Sequence, residues 1–332
     1  MNYKNIIFDF SSSYTGGGLK RLQAYMDFFE NHGGTNFIIN QKLEKKLKKK
    51  NNNLIFINKN ILSNLLFFHK YLKEIKRKNT HINTCYMYGI PITKKIYEFN
   101  ITHVSNIIPF IKNKKKISFK DRLRYFVLRK RYNLNFKFSN LISYESYSSK
   151  KMIEKSNNFL KDYNCILSTN PPDFEFVNSI NYKNMVTIVG TQSYKNINQA
   201  MSIYKLLKLK ELELKFCIIS EHNFKLKSDE EMIIFKNLNR KKVIEILNKS
   251  KYYINASIYE NSYNNALEGI FSSQYSYISD IEVHRELLEK IKYPLKKKYS
   301  NFFFIEKNKI PSFKFINWNQ DCKLLINKIN EF

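Results

Sequence analysis

The sequence predicts an α/β protein of two doubly wound, parallel-sheet domains facing across a cleft. Short apolar strands alternate with helix-length amphipathic stretches almost throughout, and T-N-P-P-D at 169–173 interrupts that rhythm before it restarts. A chain of 332 residues has room for both domains. In the first half, N-I-I-F-D-F (5–10) reads as a strand and 19–29 as a helix with Leu19, Leu22 and Met26 on one stripe. Strands follow at 37–40 and 54–57, a helix at 60–72, and strands at 82–88 and 100–105. Strand 141–144, a helix near 146–158 and strand 164–168 complete that half. The second half runs through strand 185–190, helix 196–208, strand 214–220, a turn-rich piece and helix 240–249. Strands at 251–258, 274–279 and 301–305 and an amphipathic tail over 315–331 end it. The expected domains are 1–170 and 171–314, with 315–332 as a helix packing back on the first.

Lys and Arg number 57 against 28 Asp and Glu, a net charge of +29 that points to anionic partners. The chain is also crowded with Lys, Asn, Ile, Phe and Tyr, residues of A/T-rich codons, which inflates the lysines without any function. Cys85, Cys165, Cys217 and Cys322 are scattered and form no C-x-x-C pair, so they read as buried thiols in a reducing compartment. No charged-then-apolar leader opens the chain and no run nears the ~18 apolar residues of a membrane span. A cytoplasmic protein, with membrane contact peripheral at most, is the expectation. Segment 112–131 carries ten Lys or Arg and a stripe of Phe119, Leu123, Phe126 and Val127. It either lies on an anionic membrane or packs that stripe on the sheet. The aromatic residues follow core periodicity, so nucleic acid is not expected despite the charge. The six histidines are dispersed, and neither a metal nor another cofactor is expected.

Three of only eight glycines, Gly16, Gly17 and Gly18, are consecutive between the first strand and first helix. Such a loop lets backbone N–H groups approach a phosphate at a helix start. V-G-T-Q-S-Y-K-N (189–196) holds the equivalent place in the second half, with Gly190 and Thr191 at the turn and Lys195 at the helix entrance. The most specific stretch is Y-E-N-S-Y-N-N-A-L-E (259–268), a polar turn between a strand and a helix that carries Glu260 and Glu268. With Ser262 as N-cap, the N–H groups of Tyr263, Asn264 and Asn265 face outward to bind an anion. Glu268 leans back toward that end, where its carboxylate can accept two ribose hydroxyls. His103, at a strand end in the first half, is a further candidate for the cleft. Asp280-Ile281-Glu282 resembles an acidic metal triplet but follows the last strand but one, and reads as a loop.

Together these features resemble the GT-B glycosyltransferases of family four, the retaining enzymes with an E-x7-E motif found in bacterial surface-glycan synthesis. The likeness rests on Glu260 and Glu268, on 233–257 leading into them, on I-S-D-I-E-V-H-R-E-L-L (278–288), and on V-G-T-Q-S-Y-K-N-I (189–197). G-G-G-L-K-R-L (16–22) and T-H-V-S-N-I-I-P-F (102–110), with 122–129, are similar to the first-half counterparts. The resemblance implies two Rossmann-like domains and metal-independent transfer of a sugar from a nucleotide diphosphate sugar to a glycan or lipid-linked glycan. It implies that Lys195 offsets charge on the departing diphosphate, Glu268 holds the ribose and Glu260 holds sugar hydroxyls. It implies also that His103, or its neighbour Ser105, approaches the sugar from the other wall. Thr191 stands where the family usually has Arg, with Lys20 or Arg21 as substitutes beside the glycines. Two other readings are a basic nucleic-acid-binding protein and a GT-B subunit that has lost catalysis.

Overall fold

The computed structural model describes residues 3–13, 16–45, 47, 51–58, 68–111, 119–172, 181–220, 232–294, 297–299, 301–311, 313 and 315–332. The chain divides into two compact units. The first contains Lys120–Pro171 and the chain before Lys112, together with the returning Ile316–Phe332; the second is built on Pro172–Phe315.

The first unit holds strands β1 (Ile6–Asp9), β2 (Asn36–Asn40), β3 (Asn53–Ile57), β4 (Thr84–Tyr88), β5 (Phe99–Val104), β6 (Leu141–Tyr144) and β7 (Cys165–Leu167). They form one parallel sheet in the order β3-β2-β1-β4-β5-β6-β7. Helices α1 (Gly16–Glu30), α2 (Phe68–Lys78), α3 (Phe119–Asn135), α4 (Tyr147–Ser156) and α9 (Trp318–Asn330) belong to it. The expected helix 60–72 lies outside the described residues up to 67. Strand side chains alternate between two cores because helices cover both faces, so β1, β2, β4 and β6 are buried along their whole length. On one face Phe8 packs with Tyr25, Phe29, Phe37 and Tyr86, joined by Cys322, Leu325 and Ile326 of α9. On the other, Ile7, Ile38, Cys85 and Met87 pack with Leu72 and Ile75 of α2.

The second unit has β8 (Lys183–Val189), β9 (Lys215–Ser220), β10 (Met232–Lys236), β11 (Ser250–Asn255), β12 (Tyr275–Ser279), β13 (Lys297–Tyr299) and β14 (Phe302–Glu306). Its helices are α5 (Ile197–Lys208), α6 (Arg240–Lys249), α7 (Asn264–Ser272) and α8 (Glu282–Lys290). The order β10-β9-β8-β11-β12-β14-β13 is parallel through β12, and β14 and β13 are then antiparallel. The sequence reading anticipated neither β10, whose residues are half-buried or exposed, nor the antiparallel edge. Strand direction leaves no mark on apolar periodicity, and M-I-I-F (232–235), though apolar throughout, is too short a run for periodicity to mark it as a strand.

Each sheet reverses its winding once, at β1 in the first unit and at β8 in the second. In open α/β sheets the crevice outside the carboxyl ends of the strands at that reversal is where ligands bind. The second unit's reversal lies between β8 and β11, the two strands that lead into Gly190–Lys195 and into Glu260.

Candidate functional site

The loops leaving β8 and β11 run side by side, and the Ile258 N–H donates to the Tyr194 carbonyl at 2.8 Å. Gly190 opens the first loop at φ +91°, a left-handed backbone that L side chains rarely adopt. A Cβ there would also stand 3.2 Å from Lys195 Cε. Ser193–Lys195 form one 3-10 turn, and Asn196, at φ 51°, redirects the chain into α5. Lys195 Nζ meets Glu260 Oε1 at 2.5 Å, and Ser257 Oγ donates to the same oxygen at 2.7 Å. Only 9% of the Lys195 side chain and 12% of the Glu260 side chain are exposed. Thr191 presents no cation; its hydroxyl pairs with Ser220 Oγ at 3.0 Å and ties the loop to the end of β9.

The helix after Glu260 starts one residue later than expected. Ser262 is not its N-cap; Tyr263 is, and α7 begins at Asn264. The reason is burial. Tyr263 is 3% exposed in the core beside Leu267 and Leu287, and its hydroxyl accepts from Lys290 Nζ at 2.8 Å. A serine cap is worth about 1 kcal/mol, whereas burying a large side chain contributes about 1.5–3 kcal/mol. The leading N–H groups of the helix are therefore those of Asn264, Asn265 and Ala266, and Tyr263 serves as a core anchor. Glu268 lies one turn into α7, 3% exposed. Its neighbour Gly269 lets the helix sit on β11, since a Cβ would fall 2.0 Å from the Tyr253 ring.

Glu268 is ion-paired with Arg240, the first residue of α6 after its cap Asn239. The sequence reading missed Arg240. The only local signal is an Asn N-cap that fixes where the helix starts; the pairing itself is set by α6 packing on α7. The second unit thus sets two cation–carboxylate pairs at the carboxyl end of its sheet, Lys195 with Glu260 and Arg240 with Glu268. Beside them, His284 is wholly buried and its Nδ1–H donates to the Ser279 carbonyl at 2.8 Å. Burial above all, assisted by Lys195 and opposed by Glu260, pushes its pKa down to about 4.

With this geometry, the chain is similar to solved glycosyltransferase structures. WaaG, a glycosyltransferase involved in lipopolysaccharide biosynthesis, matches with a TM-score of 0.58 and 10% identity, over 80% of this chain and 79% of that one. Apo OtsA matches at 0.56 and 8% identity over 98% and 91%. HepE of Anabaena, solved with UDP-glucose, matches at 0.55 and 11% identity over 80% and 78%. The fold is GT-B. No family model matches the sequence, and no curated protein resembles it in sequence.

In the GT-B first unit, Gly16, Gly17 and Gly18 form the opening turn of α1 instead of a loop before it, with Gly16 at φ 58°. A Cβ on Gly18 would strike Ser13 Oγ at 2.6 Å and Tyr88 at 2.9 Å. That close approach fixes the turn against β4, while Gly16 and Gly17 remain exposed. Lys20 and Arg21, the candidates to substitute for an arginine at Thr191, both have partners within the first unit. Lys20 Nζ donates to the Pro171 carbonyl at 2.7 Å. Arg21 is fully buried, donating to Asn170 Oδ1 at 3.1 Å, the Ser168 carbonyl at 2.7 Å and Asp321 at 3.2 Å.

His103 is 0% exposed and stacks on Tyr88 with centroids 4.9 Å apart. Its Nδ1 lies 2.8 Å from Ser143 Oγ and its Nε2 3.3 Å from Glu145 Oε1. Burial, with the Arg21 guanidinium adding to it, pushes the pKa to about 4, so the ring is neutral at pH 7. Nε2–H then donates to the carboxylate and Ser143 O–H donates to Nδ1. His103, expected to approach a sugar, has no exposed surface here, and its two ring nitrogens face Ser143 and Glu145. Asn170 Nδ2 donates to the same Glu145 oxygen at 3.1 Å. Ser105 is half-buried beside Gly89.

The stripe on α3 does not pack on the sheet. Phe119 is 83%, Leu123 58%, Phe126 55% and Val127 40% exposed. Residues 112–118 of the basic segment lie outside the described residues. Among the described residues, no helix is long and apolar enough to cross a membrane.

Proposed function

We propose that this chain is a retaining, metal-independent glycosyltransferase of the family-four, E-x7-E type. It would move a sugar, most simply a hexose, from a nucleotide diphosphate sugar to a glycan or lipid-linked glycan in cell-surface polysaccharide synthesis. The observation that carries the reading is the Lys195–Glu260 pair at the winding reversal of the second sheet, with Glu268 one helical turn beyond. The GT-B fold and the donors held by its neighbours, UDP-glucose in HepE, support it.

Donor binding exchanges partners in this scheme. Lys195 passes from Glu260 to the diphosphate, whose departure as an anion it stabilises together with the first N–H groups of α7. Glu260, released from the ammonium, accepts hydroxyls of the donor sugar. Glu268 accepts from the ribose while Arg240 holds its carboxylate in place. A fixed cation and a helix N-terminus supply the leaving-group stabilisation that a divalent metal supplies elsewhere. In the same proposal α3 rests on the inner face of the cell membrane, its exposed phenylalanines in the interface and Arg122, Arg124, Arg129 and Lys130 toward anionic headgroups.

A thermal-shift panel of UDP-, GDP-, ADP- and CMP-sugars tests the donor reading, because a ligand bound to the folded state raises its melting point. One of the three diphosphate sugars, and not the CMP-sugar with its single phosphate, is expected to stabilise the protein and to be hydrolysed or transferred. A folded protein indifferent to all four would overturn it. Flotation with anionic vesicles tests α3, and failure to bind at low salt removes the membrane from the proposal.

A further inference from the structure

Helix α5 buries one apolar face and ends in a cluster of exposed leucines. Ala200, Met201, Ile203, Tyr204 and Leu207 point inward and are buried against β8 and β9 of the second sheet. On the outward side Leu206 is 51% exposed, and Leu209 and Leu212, just past the helix end, are 79% and 81% exposed. Together with Ser202, Lys205 and Lys208 they line one shallow groove. Isolated exposed leucines are ordinary, but three lining one groove within seven residues form a patch.

The charge around the patch narrows what that is. Lys205 and Lys210 are exposed and Lys208 half-buried at its edge. Of the nearby acids, Glu211 is already held by Lys251 at 2.6 Å and by the Tyr252 hydroxyl at 2.6 Å, leaving Glu213 exposed. A second copy of a chain with a net charge of +29 would bring lysine against lysine across a two-fold contact. Nucleic acid would meet leucines where it needs stacking or hydrogen-bonding groups. Apolar side chains flanked by lysines suit the boundary between acyl chains and anionic headgroups, with the lysine stems reaching up from the apolar layer.

We propose that the second unit carries its own membrane-docking surface, in which Leu206, Leu209 and Leu212 enter an anionic bilayer and Lys205, Lys208 and Lys210 meet its headgroups. This surface lies on a different unit from α3 and does not depend on the glycosyl-transfer reading, because vesicle binding is measured without any donor or acceptor.

The test uses the full chain with phosphatidylcholine vesicles, with and without phosphatidylglycerol. Leu209→Asp/Leu212→Asp, at two largely solvent-exposed positions, is expected to keep the wild-type melting temperature. It should weaken binding to the anionic vesicles about tenfold or more. Phe119→Asp/Phe126→Asp on α3 serves as the independent arm. A fluorophore on Leu212→Cys should be quenched by spin-labelled lipid in anionic vesicles and not in neutral ones. Unchanged binding of the Leu209/Leu212 variant, with loss only in the α3 variant, would overturn the proposal. So would a doubled mass in sedimentation that the leucine substitutions abolish, which would assign the patch to a second copy. Competition by an acidic peptide without any lipid quenching would assign it to an acidic protein.

Discussion

Lys195 and Arg240 face the same kind of partner, a glutamate, and the proposed mechanism gives them different work. Lys195 is held at 2.5 Å from Glu260 beside a glycine turn whose backbone other residues rarely adopt, and in the proposed mechanism it is aimed at the place where negative charge develops. Lys195→Ala is expected to lower turnover by ~10²-fold or more, the usual loss for one electrostatic stabiliser, with a smaller change in donor KM. An unchanged rate in a donor assay removes Lys195 from the mechanism. In the proposed mechanism Arg240 acts through Glu268, a 3% exposed carboxylate whose charge it balances. Arg240→Ala should therefore raise donor KM about tenfold while leaving kcat nearly intact, and Arg240→Lys should recover part of it, since lysine keeps the charge but not the fork. Equal losses in kcat for both substitutions would instead put Arg240 on the reacting atoms. The pair Glu260 and Glu268 was legible because a turn and one helix fix their spacing within ten residues. Arg240 was not, since its contact with Glu268 exists only after α6 packs on α7. Ser262 misled because a capping preference is weaker than the burial of the tyrosine beside it.

At the scale of elements, the strands that announced themselves are those buried on both faces, such as β1, β4 and β11, whose apolar runs admit one interpretation. Half-exposed β10 and the antiparallel edge did not announce themselves, because a four-residue apolar run such as M-I-I-F does not by itself mark a strand and direction is set by the connection. α9 shows what periodicity does and does not tell. Its stripe of Cys322, Leu325, Ile326 and Ile329 was visible, but its polar anchor was not: Asp321, 1% exposed, accepts from Arg21, from Ser168 Oγ at 2.9 Å and from the Tyr25 hydroxyl at 3.2 Å. That one carboxylate links α9, α1 and the stretch after β7. Removing it leaves a fully buried guanidinium without its counter-charge, so Asp321→Ala should destabilise the first unit by about 3–5 kcal/mol in urea unfolding. Replacing both partners with apolar residues, Arg21→Met with Asp321→Leu, should cost far less. If the double variant is as unstable as the single one, the hydrogen bonds to Ser168 and Asn170 matter more than the ion pair.

For the whole molecule, each unit buries one imidazole among its described residues: His103 among Tyr88, Ser143 and Glu145 in the first, and His284 near Glu260, Lys195 and Asp280 in the second. Both have a pKa pushed from 6.5 to about 4, chiefly by burial. In the unfolded chain they titrate near 6.5, so between that pH and about 4 the unfolded state binds protons that the folded state refuses. Stability is thus unaffected by these groups above pH 6.5 and falls as the pH drops toward 4, by up to about 1.4 kcal/mol per pH unit for each histidine. The self-repulsion of a chain already at +29 also grows as the pH falls. The melting temperature should therefore decline from pH 6.5 downward in low-salt buffer. His103→Gln and His284→Gln should each flatten the decline, whatever they cost at neutral pH. Because the two rings sit in separate cores, their effects should add, and the double variant should show almost no slope between pH 6 and about 4.5. A slope that survives both substitutions would place the acid sensitivity in the paired carboxylates instead, and proton uptake on unfolding, measured calorimetrically at pH 5.5 in buffers of different ionisation heat, would then be unchanged by removing either histidine.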